Sequence, residues 1–209
     1  YLKPKRSINI MNSTQSTSSA AVSSSRRMFT TRELVIGGMF AALLAVISQL
    51  SIPMPSGVPI TIQILGVALV GSVLGWRLGL FATITYILIG AVGLPVFANF
   101  SGGFSKLVGV TGGYIWSWPF LAALAGVHPH TGNKTRDFVL NVICALVGLA
   151  ICEIIGGLQW AALAGDKSVS AVFTYAIVAF IPKDIVLTII AVVIGTTVRK
   201  TLLSTILSN

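Results

Sequence analysis

The sequence has very little charge for its length. Only 9% of its 209 residues are Asp, Glu, Lys or Arg, whereas 55% are hydrophobic, and the mean hydropathy is +0.92. A soluble domain carries about a quarter charged residues, because these residues cover its surface. The scarcity of charge excludes an ordinary globular domain and predicts an integral membrane protein.

Motifs of the common catalytic and nucleotide-binding sites are also missing. No GxxxxGK[ST] sequence occurs, so the chain has no P-loop for ATP hydrolysis, and it has neither an HExxH motif nor a Gly-x-Ser-x-Gly elbow. The two cysteines, Cys144 and Cys152, are eight residues apart in one apolar run, about 12 Å along a helix and too far for a disulfide. No Cys/His cluster has the spacing of a metal site. We therefore expect no enzymatic activity, no metal and no cofactor.

Long apolar runs fill most of the chain. Six of them have the length of helices, at residues 33–50, about 62–76, 78–97, about 112–127, about 138–164 and about 171–198. They predict an all-α integral membrane protein, a six-helix bundle over residues 29–203. A Ser/Thr-rich tail at 1–28, expected to be disordered, precedes the bundle, and a short cytoplasmic tail at 204–209 follows it.

The positions of the basic residues indicate how the helices are oriented. A net charge of +9 is compatible with nucleic-acid binding, but the 14 Lys and Arg are concentrated before the first run and in alternate gaps. If the N-terminus is inside, only Lys106 and Lys167 face outward, while Lys183 lies within a span. The positive-inside rule therefore predicts cytoplasmic N- and C-termini in the cell membrane of a bacterium, with the lipid bilayer and not nucleic acid as the surroundings.

Two charged residues lie inside the sixth run, in "AFIPKDIVLTII". A charge at the centre of a span costs at least about 2.5–3.5 kcal/mol, so Lys183 and Asp184 are candidates for contact with a ligand. The alternative is an ion pair between them, although adjacent helical residues point about 100° apart. Asp184 precedes Arg199 by fifteen residues, or about 22 Å of helical rise, which places it in the outer half of the membrane. Pro182 removes a backbone donor beside them and predicts a kink next to a cavity.

Glu153 is the other acid within a run. The sequence "IIGGLQW" follows it, and the two glycines allow another helix to approach closely. Glu153 either faces the same cavity as Asp184 or makes a structural pair inside the bundle.

Two connections predicted on the outer side are too apolar for solvated linkers. They read "SIPMPSGVPITIQ", which ends at Gln63, and "NFSGGFSKLVGVTGGY", which begins at Asn99. Irregular backbone at membrane depth is tolerated only against protein or a wet cavity. In the second connection a helix begins near Gly113, where backbone donors are free, and Tyr114 adds a ring and a hydroxyl. The connections are either lids that close the bundle or walls of a binding site.

Small residues form a stripe on the first helix. Ala41 and Ala45 have the small-xxx-small spacing, and Gly37 and Gly38 lie one turn earlier. Such a stripe lets helices pack tightly. Packing inside the bundle and docking onto a partner are both open interpretations.

Four ordered motifs resemble a known family. "FAALLAVISQLSIPMPSGVPITIQ", "ILIGAVGLPVFANFSGG", "VTGGY" and "FIPKD" resemble the biotin-specific S component, BioY, of energy-coupling factor (ECF) transporters, and the resemblance covers about residues 30 to 200. It implies a six-helix subunit that holds biotin near the outer face, under the first and third loops. It also implies three partner subunits, namely a transmembrane coupling subunit and two cytoplasmic ATPases.

The resemblance further implies roles for individual residues. Asp184 matches the family's aspartate and would accept hydrogen bonds from the ureido N–H groups of biotin. The expected substrate-binding residues are Asp184, Tyr114, Asn99, Lys183, Gln63 and Gly113, and the expected docking residues are Ala41 and Ala45. The family's lysine three residues after the aspartate is replaced by Leu187 here. The cation for the biotin carboxylate is then expected to be Lys183 or Lys106.

Three functions follow from these features. The first is high-affinity capture and uptake of biotin as the substrate-specific subunit of an ECF-type ABC transporter. The alternative is a self-sufficient secondary transporter of biotin or a similar vitamin, with Asp184 and Glu153 as proton carriers; no strong internal repeat supports it. An intramembrane enzyme or assembly factor is a third hypothesis, motivated only by the buried carboxylates.

Overall fold

The computed structural model describes residues 30–54, 58–165 and 169–205, and the predicted tail at 1–28 lies outside the described residues, as do residues 206–209 of the predicted C-terminal tail. Helices account for most of the described chain. They are α1 (Thr31–Ser48), α2 (Gln63–Leu74), α3 (Trp76–Ala91), α4 (Phe104–Val108), α5 (Gly112–Ala125), α6 (Lys134–Leu163), α7 (Val169–Ala179) and α8 (Ile181–Thr205). Two short strands, β1 (Ser51–Ile52) and β2 (Ile60–Thr61), form an antiparallel pair between α1 and α2.

The six predicted helical runs are confirmed, although several of their bounds differ; α8, for example, extends to Thr205 instead of residue 198. The third helix ends at Ala91 instead of residue 97, because Gly93 adopts φ 115° and Pro95 follows it. The sixth run forms two helices, α7 and α8, which are separated at Phe180. Pro182 lies in the first turn of α8, where its missing N–H is tolerated, but it cannot donate to a carbonyl of α7. The kink predicted at Pro182 is therefore a break in the helix.

The bundle has the composition of a membrane protein. Three helical segments are long and apolar enough to cross a bilayer: Thr31–Ser48, Lys134–Leu163 and Ile181–Thr201. The shorter helix α2 packs against α1, α3, α5 and α8 and buries residues on all of its sides. A helix that is apolar all round is suited to this central position. The chain is thus a multi-pass helical membrane protein built around α2.

The described parts of the two apolar connections contact each other. The connection after α3 turns back on itself through a bridge between Phe97 and Ser101. At its tip the Phe100 backbone N–H donates to Gln49 Oε1 at 2.9 Å, and Asn99 Oδ1 accepts from Ser51 Oγ at 3.0 Å. Both bonds join this connection to the segment at the end of α1, so the two connections lie together over the same end of the bundle.

Candidate functional site

A cavity of about 450 Å³ lies at the end of the bundle that these connections cover. Its walls come from both connections, α2, α5, α6 and the break between α7 and α8. The apolar part of the wall is formed by Val58, Ile64, Phe97, Ile115, Trp118 and Phe180. Cavities of this volume and apolar character are typical of small-molecule binding sites.

Asp184 lies at the inner wall of the cavity and is paired with Lys183. It is in the first turn of α8 and only 3% exposed. Lys183 Nζ donates to Asp184 Oδ1 at 2.5 Å and to the backbone oxygen of Thr61 at 2.9 Å. The long lysine side chain thus curls back to its neighbour although the two residues point in different directions on the helix. The predicted ion pair is present, and both residues also line the cavity, so contact with a ligand stays a prediction beside it.

Glu153 reaches the same cavity from α6. Its side chain is 8% exposed, and its Oε2 accepts no hydrogen bond from any residue that the structure describes. The carboxyl group is close enough to that of Asp184 for the two to interact. The cavity therefore holds two acids from two helices, and only the acid of α8 has an ammonium group bound to it.

Tyr114 forms the wall on the α5 side, and the position of its ring depends on a glycine in α6. Its hydroxyl is buried and has no hydrogen-bond partner among the described residues. A Cβ atom at Gly156 would collide with the Tyr114 ring, so the ring can pack against α6 only because residue 156 has no side chain.

Gly113 does not line the cavity. A Cβ on it would lie 2.9 Å from Gln159 Cβ, so it serves the close packing of α5 on α6, and its contact with substrate stays a prediction.

Gln63 and Asn99 line the cavity from opposite sides. Gln63 is 3% exposed at the start of α2, and its Nε2 donates to Tyr86 Oη at 2.7 Å. The Tyr86 hydroxyl in turn donates to the Val96 carbonyl at 2.9 Å. Asn99 is exposed and adopts φ 58°, a left-handed conformation that asparagine tolerates better than most residues. Its Oδ1 is occupied by Ser51, which leaves the amide nitrogen for a ligand.

Lys106 is a second cation at the cavity. It lies on the short helix α4, its side chain is exposed, and it lines the opening. Its ammonium group makes no hydrogen bond or ion pair with any residue in the described ranges. Lys106 is thus available to an anionic ligand group, whereas Lys183 is already engaged.

The sequence did not single out several wall residues. One of these residues is Trp118 on α5. It follows Tyr114 by one helical turn and therefore shares its face of α5. The rings of Phe97 and Trp118 pack edge to face, with centroids 6.5 Å apart. The i to i+4 spacing after Tyr114 is the signal that identifies Trp118, whereas Phe97 becomes a wall residue only through the bridge that turns its connection.

The predicted docking stripe on α1 does not face outward as a whole. Ala41 is 2% exposed and belongs to the bundle core, and Ala45 is half-buried against it. The small residues that are exposed on α1 are Gly38 and Ala42, and a Cβ at Gly38 would meet nothing within 4 Å. Ala41 thus has a packing role in the bundle, and docking of a partner on Ala41 and Ala45 stays a prediction.

The chemistry available in the cavity is that of binding. It offers carboxylate acceptors deep inside, apolar and aromatic walls, and a free ammonium group at the opening. Within the described ranges no group of three or more His, Cys, Asp or Glu could hold a metal ion. Such a cavity suits a small ligand with N–H donors at one end, an apolar middle and an anionic group at the other end.

Comparisons with known proteins agree on one family. Residues 16–204 match the BioY family. The chain is 36% identical over 164 residues to a protein named "Probable biotin transporter BioY" from Pyrococcus horikoshii, which covers 78% of this chain and 94% of that protein. It is also 36% identical over 171 residues to "Biotin transporter BioY" from Thermotoga maritima, covering 81% and 96%. The fold is similar to the crystal structure of the S component for biotin from an ECF-type ABC transporter, with a TM-score of 0.73, 24% identity, and coverage of 82% of this chain and 95% of that one.

Proposed function

The chain belongs to the BioY family, and on that premise we propose that it binds biotin as the S component of an ECF-type ABC transporter in the cell membrane. The observation that carries the proposal is the cavity under the two connections, which is lined by the buried carboxyl groups of Asp184 and Glu153 and by the exposed ammonium group of Lys106. Biotin has ureido N–H groups, an apolar thioether ring and an anionic valerate tail, and each of these matches one part of the cavity.

The ureido end belongs next to Asp184. Lys183 occupies one carboxylate oxygen of Asp184, so the other is left for a ligand N–H. A hydrogen bond from a neutral donor to a carboxylate contributes about 1.5–3 kcal/mol, because one partner is charged. Trp118, Phe97 and Tyr114 line the space beside Asp184 and would bury the bicyclic ring between aromatic side chains.

The valerate carboxylate belongs next to Lys106. Of the two lysines at the cavity, Lys183 is bound to Asp184 and to the Thr61 carbonyl, whereas Lys106 has no partner among the described residues. Exposed ion pairs contribute about 0.2–1 kcal/mol, so we expect Lys106→Met to weaken biotin binding by at most about fivefold. Biotin amide, which has no carboxylate, should bind equally to Lys106→Met and to the unmodified protein. A loss of biotin amide binding in Lys106→Met would contradict the assignment.

The proposed function also requires partner subunits. The chain has no P-loop, so any energy from ATP has to come from other proteins, as the family resemblance implies for a coupling subunit and two ATPases. We place the contact with the coupling subunit on the outward face of α1 around Gly38 and Ala42, because small residues there allow another helix to approach closely.

The direct test is calorimetric titration of biotin into the purified, detergent-solubilised protein. Asp184→Asn keeps the shape of the side chain and removes its charge, and we expect binding to weaken by about 10- to 150-fold. Asp137→Asn is a matched control: it makes the same change in an exposed acid near the start of α6, outside the cavity. The proposal fails if the unmodified protein does not bind biotin. The role of Asp184 fails if both variants bind as the unmodified protein does.

A second candidate function is proton-coupled transport without partner subunits. It is favoured by one observation, the proximity of the Glu153 and Asp184 carboxyl groups in one cavity. Uptake of labelled biotin into liposomes that contain only this protein, driven by an imposed pH gradient, would support it. If uptake requires an added energising module, the second candidate is excluded.

A further inference from the structure

Glu153 is a buried acid for which the proposed function so far has no role. It lies in the middle of α6 with 8% exposure, and no described residue donates a hydrogen bond to its Oε2. A buried charged group without a donor destabilises a protein, and it does so more strongly inside a membrane. The carboxyl group does contact that of Asp184, but this neighbour is a second acid, and it leaves Glu153 Oε2 without a hydrogen bond among the described residues.

Glu153 lines the cavity, and the polar groups nearest to it lie on α5 and α8. Across the cavity Asp184 approaches it from α8, and Tyr114 approaches it from α5 with its hydroxyl also unpartnered. The nearest cation, Lys183, is bound to Asp184 at 2.5 Å and to the Thr61 carbonyl at 2.9 Å. Each element that packs around Glu153 thus presents an acid, a hydroxyl or an engaged ammonium group, and none supplies a donor to Oε2.

The ureido group of biotin has two N–H donors that one carboxylate cannot readily serve. They lie on either side of the ring carbonyl and point away from each other. Two acceptors at separate positions are therefore required if both donors are to be bonded in an apolar cavity, where an unmade hydrogen bond is costly. Asp184 on α8 and Glu153 on α6 are two such acceptors, and both line the same cavity.

We propose that Glu153 Oε2 accepts one ureido N–H of biotin while Asp184 accepts the other, so that the two carboxylates together determine specificity for an unsubstituted cyclic urea. The inference rests on the proposed function, because it assigns a ligand group to the same cavity. It adds a specificity residue on α6, whose carboxylate distinguishes a ligand with two N–H groups from one with a single N–H group.

The test combines variants with N-methylated ligands. Biotin and its two mono-N-methyl derivatives, one for each ureido nitrogen, are titrated into the full-length protein, Glu153→Leu and Asp184→Asn. We expect Glu153→Leu to weaken biotin binding by about 10- to 100-fold. In that variant, methylation of one nitrogen should cause no further loss, while methylation of the other should weaken binding as it does in the unmodified protein. In Asp184→Asn, whose amide oxygen still accepts a hydrogen bond but carries no charge, methylation of the other nitrogen should cause a smaller loss than in the unmodified protein, while methylation of the first should cause the same loss.

Thermal unfolding separates a ligand-binding role from a structural one. If Glu153 has no partner in the bundle, Glu153→Leu should unfold at the same or a higher temperature than the unmodified protein in the absence of biotin. Glu153→Gln serves as a second variant of nearly identical shape if the leucine variant does not fold. A structural partner would be indicated by a lower unfolding temperature of both variants, and that result would overturn the inference.

The possible failures are distinguishable. If the unmodified protein does not bind biotin, the proposed function and this inference fail together. If biotin binds and Glu153→Leu or Glu153→Gln binds it equally well, only the inference fails. It also fails if both methylations weaken binding to Glu153→Leu as much as they weaken binding to the unmodified protein.

Discussion

Gly156→Ala is predicted to damage the site by adding one methyl group behind it. The new Cβ would collide with the ring of Tyr114, and carbon atoms normally approach no closer than about 3.5 Å, so the ring has to move toward the cavity. Overpacking of this kind costs about 1–3 kcal/mol, and the better helix propensity of alanine offsets about 1 kcal/mol of it. We therefore expect a decrease of about 0–2 kcal/mol in the free energy of unfolding.

The effect on ligand binding should be larger than the effect on stability. Tyr114 forms one wall of a cavity of about 450 Å³, and its displaced ring would occupy space that the ligand needs. Loss of a well-placed aromatic contact costs about 0.5–1.5 kcal/mol beyond the area that it buries. With the lost buried area included, we expect biotin binding to weaken by about 10- to 100-fold.

The assay is titration of biotin into purified protein, with unfolding followed on the same samples. Gly38→Ala is the control, because it is the same substitution in a helix but meets nothing within 4 Å. It should leave biotin binding by the isolated protein unchanged and stabilise the fold by about 0.5–1 kcal/mol. If Gly156→Ala bound biotin as tightly as Gly38→Ala, the reasoning that the glycine seats Tyr114 against α6 would be refuted.

Three further substitutions test other parts of the structure by thermal unfolding in detergent. Tyr86→Phe leaves Gln63 Nε2 without its acceptor and should cost about 1–3 kcal/mol; no change in unfolding temperature would exclude that bond. Asn133→Ala removes the side chain that caps α6 by accepting from two backbone N–H groups, and should cost about 1 kcal/mol, whereas Asn133→Ser should restore most of it. Burial, reinforced by Arg199, lowers the pKa of His128 below 6.5, so its contribution to stability is complete above about pH 6.5 and is lost as the pH falls below that value. The unmodified protein should therefore lose more stability than His128→Gln between pH 7 and pH 5.5, and parallel pH profiles would contradict this.

Much of the site could be predicted from the cost of burying charge. Asp184 and Lys183 were identified because charged side chains in an apolar run need a polar partner, and the structure places both at the cavity. The composition of the two connections likewise predicted backbone that packs against a cavity. These predictions depend on solvation, which a residue's identity and its apolar neighbours largely determine.

The orientation of side chains could not be predicted in the same way. Small and apolar residues surround α1 on all sides, because one face meets the bundle and the other is exposed, so periodicity does not show that Ala41 points inward and Ala42 outward. Gly113 and Gly156 look alike in sequence, yet one serves the contact between helices and the other seats an aromatic ring. Such distinctions depend on which helices become neighbours.

Lys183 couples the acid of α8 to the strand pair between α1 and α2. Its single ammonium group holds Asp184 on one side and the β2 backbone, at Thr61, on the other. A substitution of Lys183 therefore has two effects. It leaves the Asp184 carboxylate without its ammonium partner, and it removes the hydrogen bond that holds β2 next to the cavity. Weaker biotin binding by such a variant would therefore reflect a change in the position of β2 as well as the loss of any contact between Lys183 and biotin.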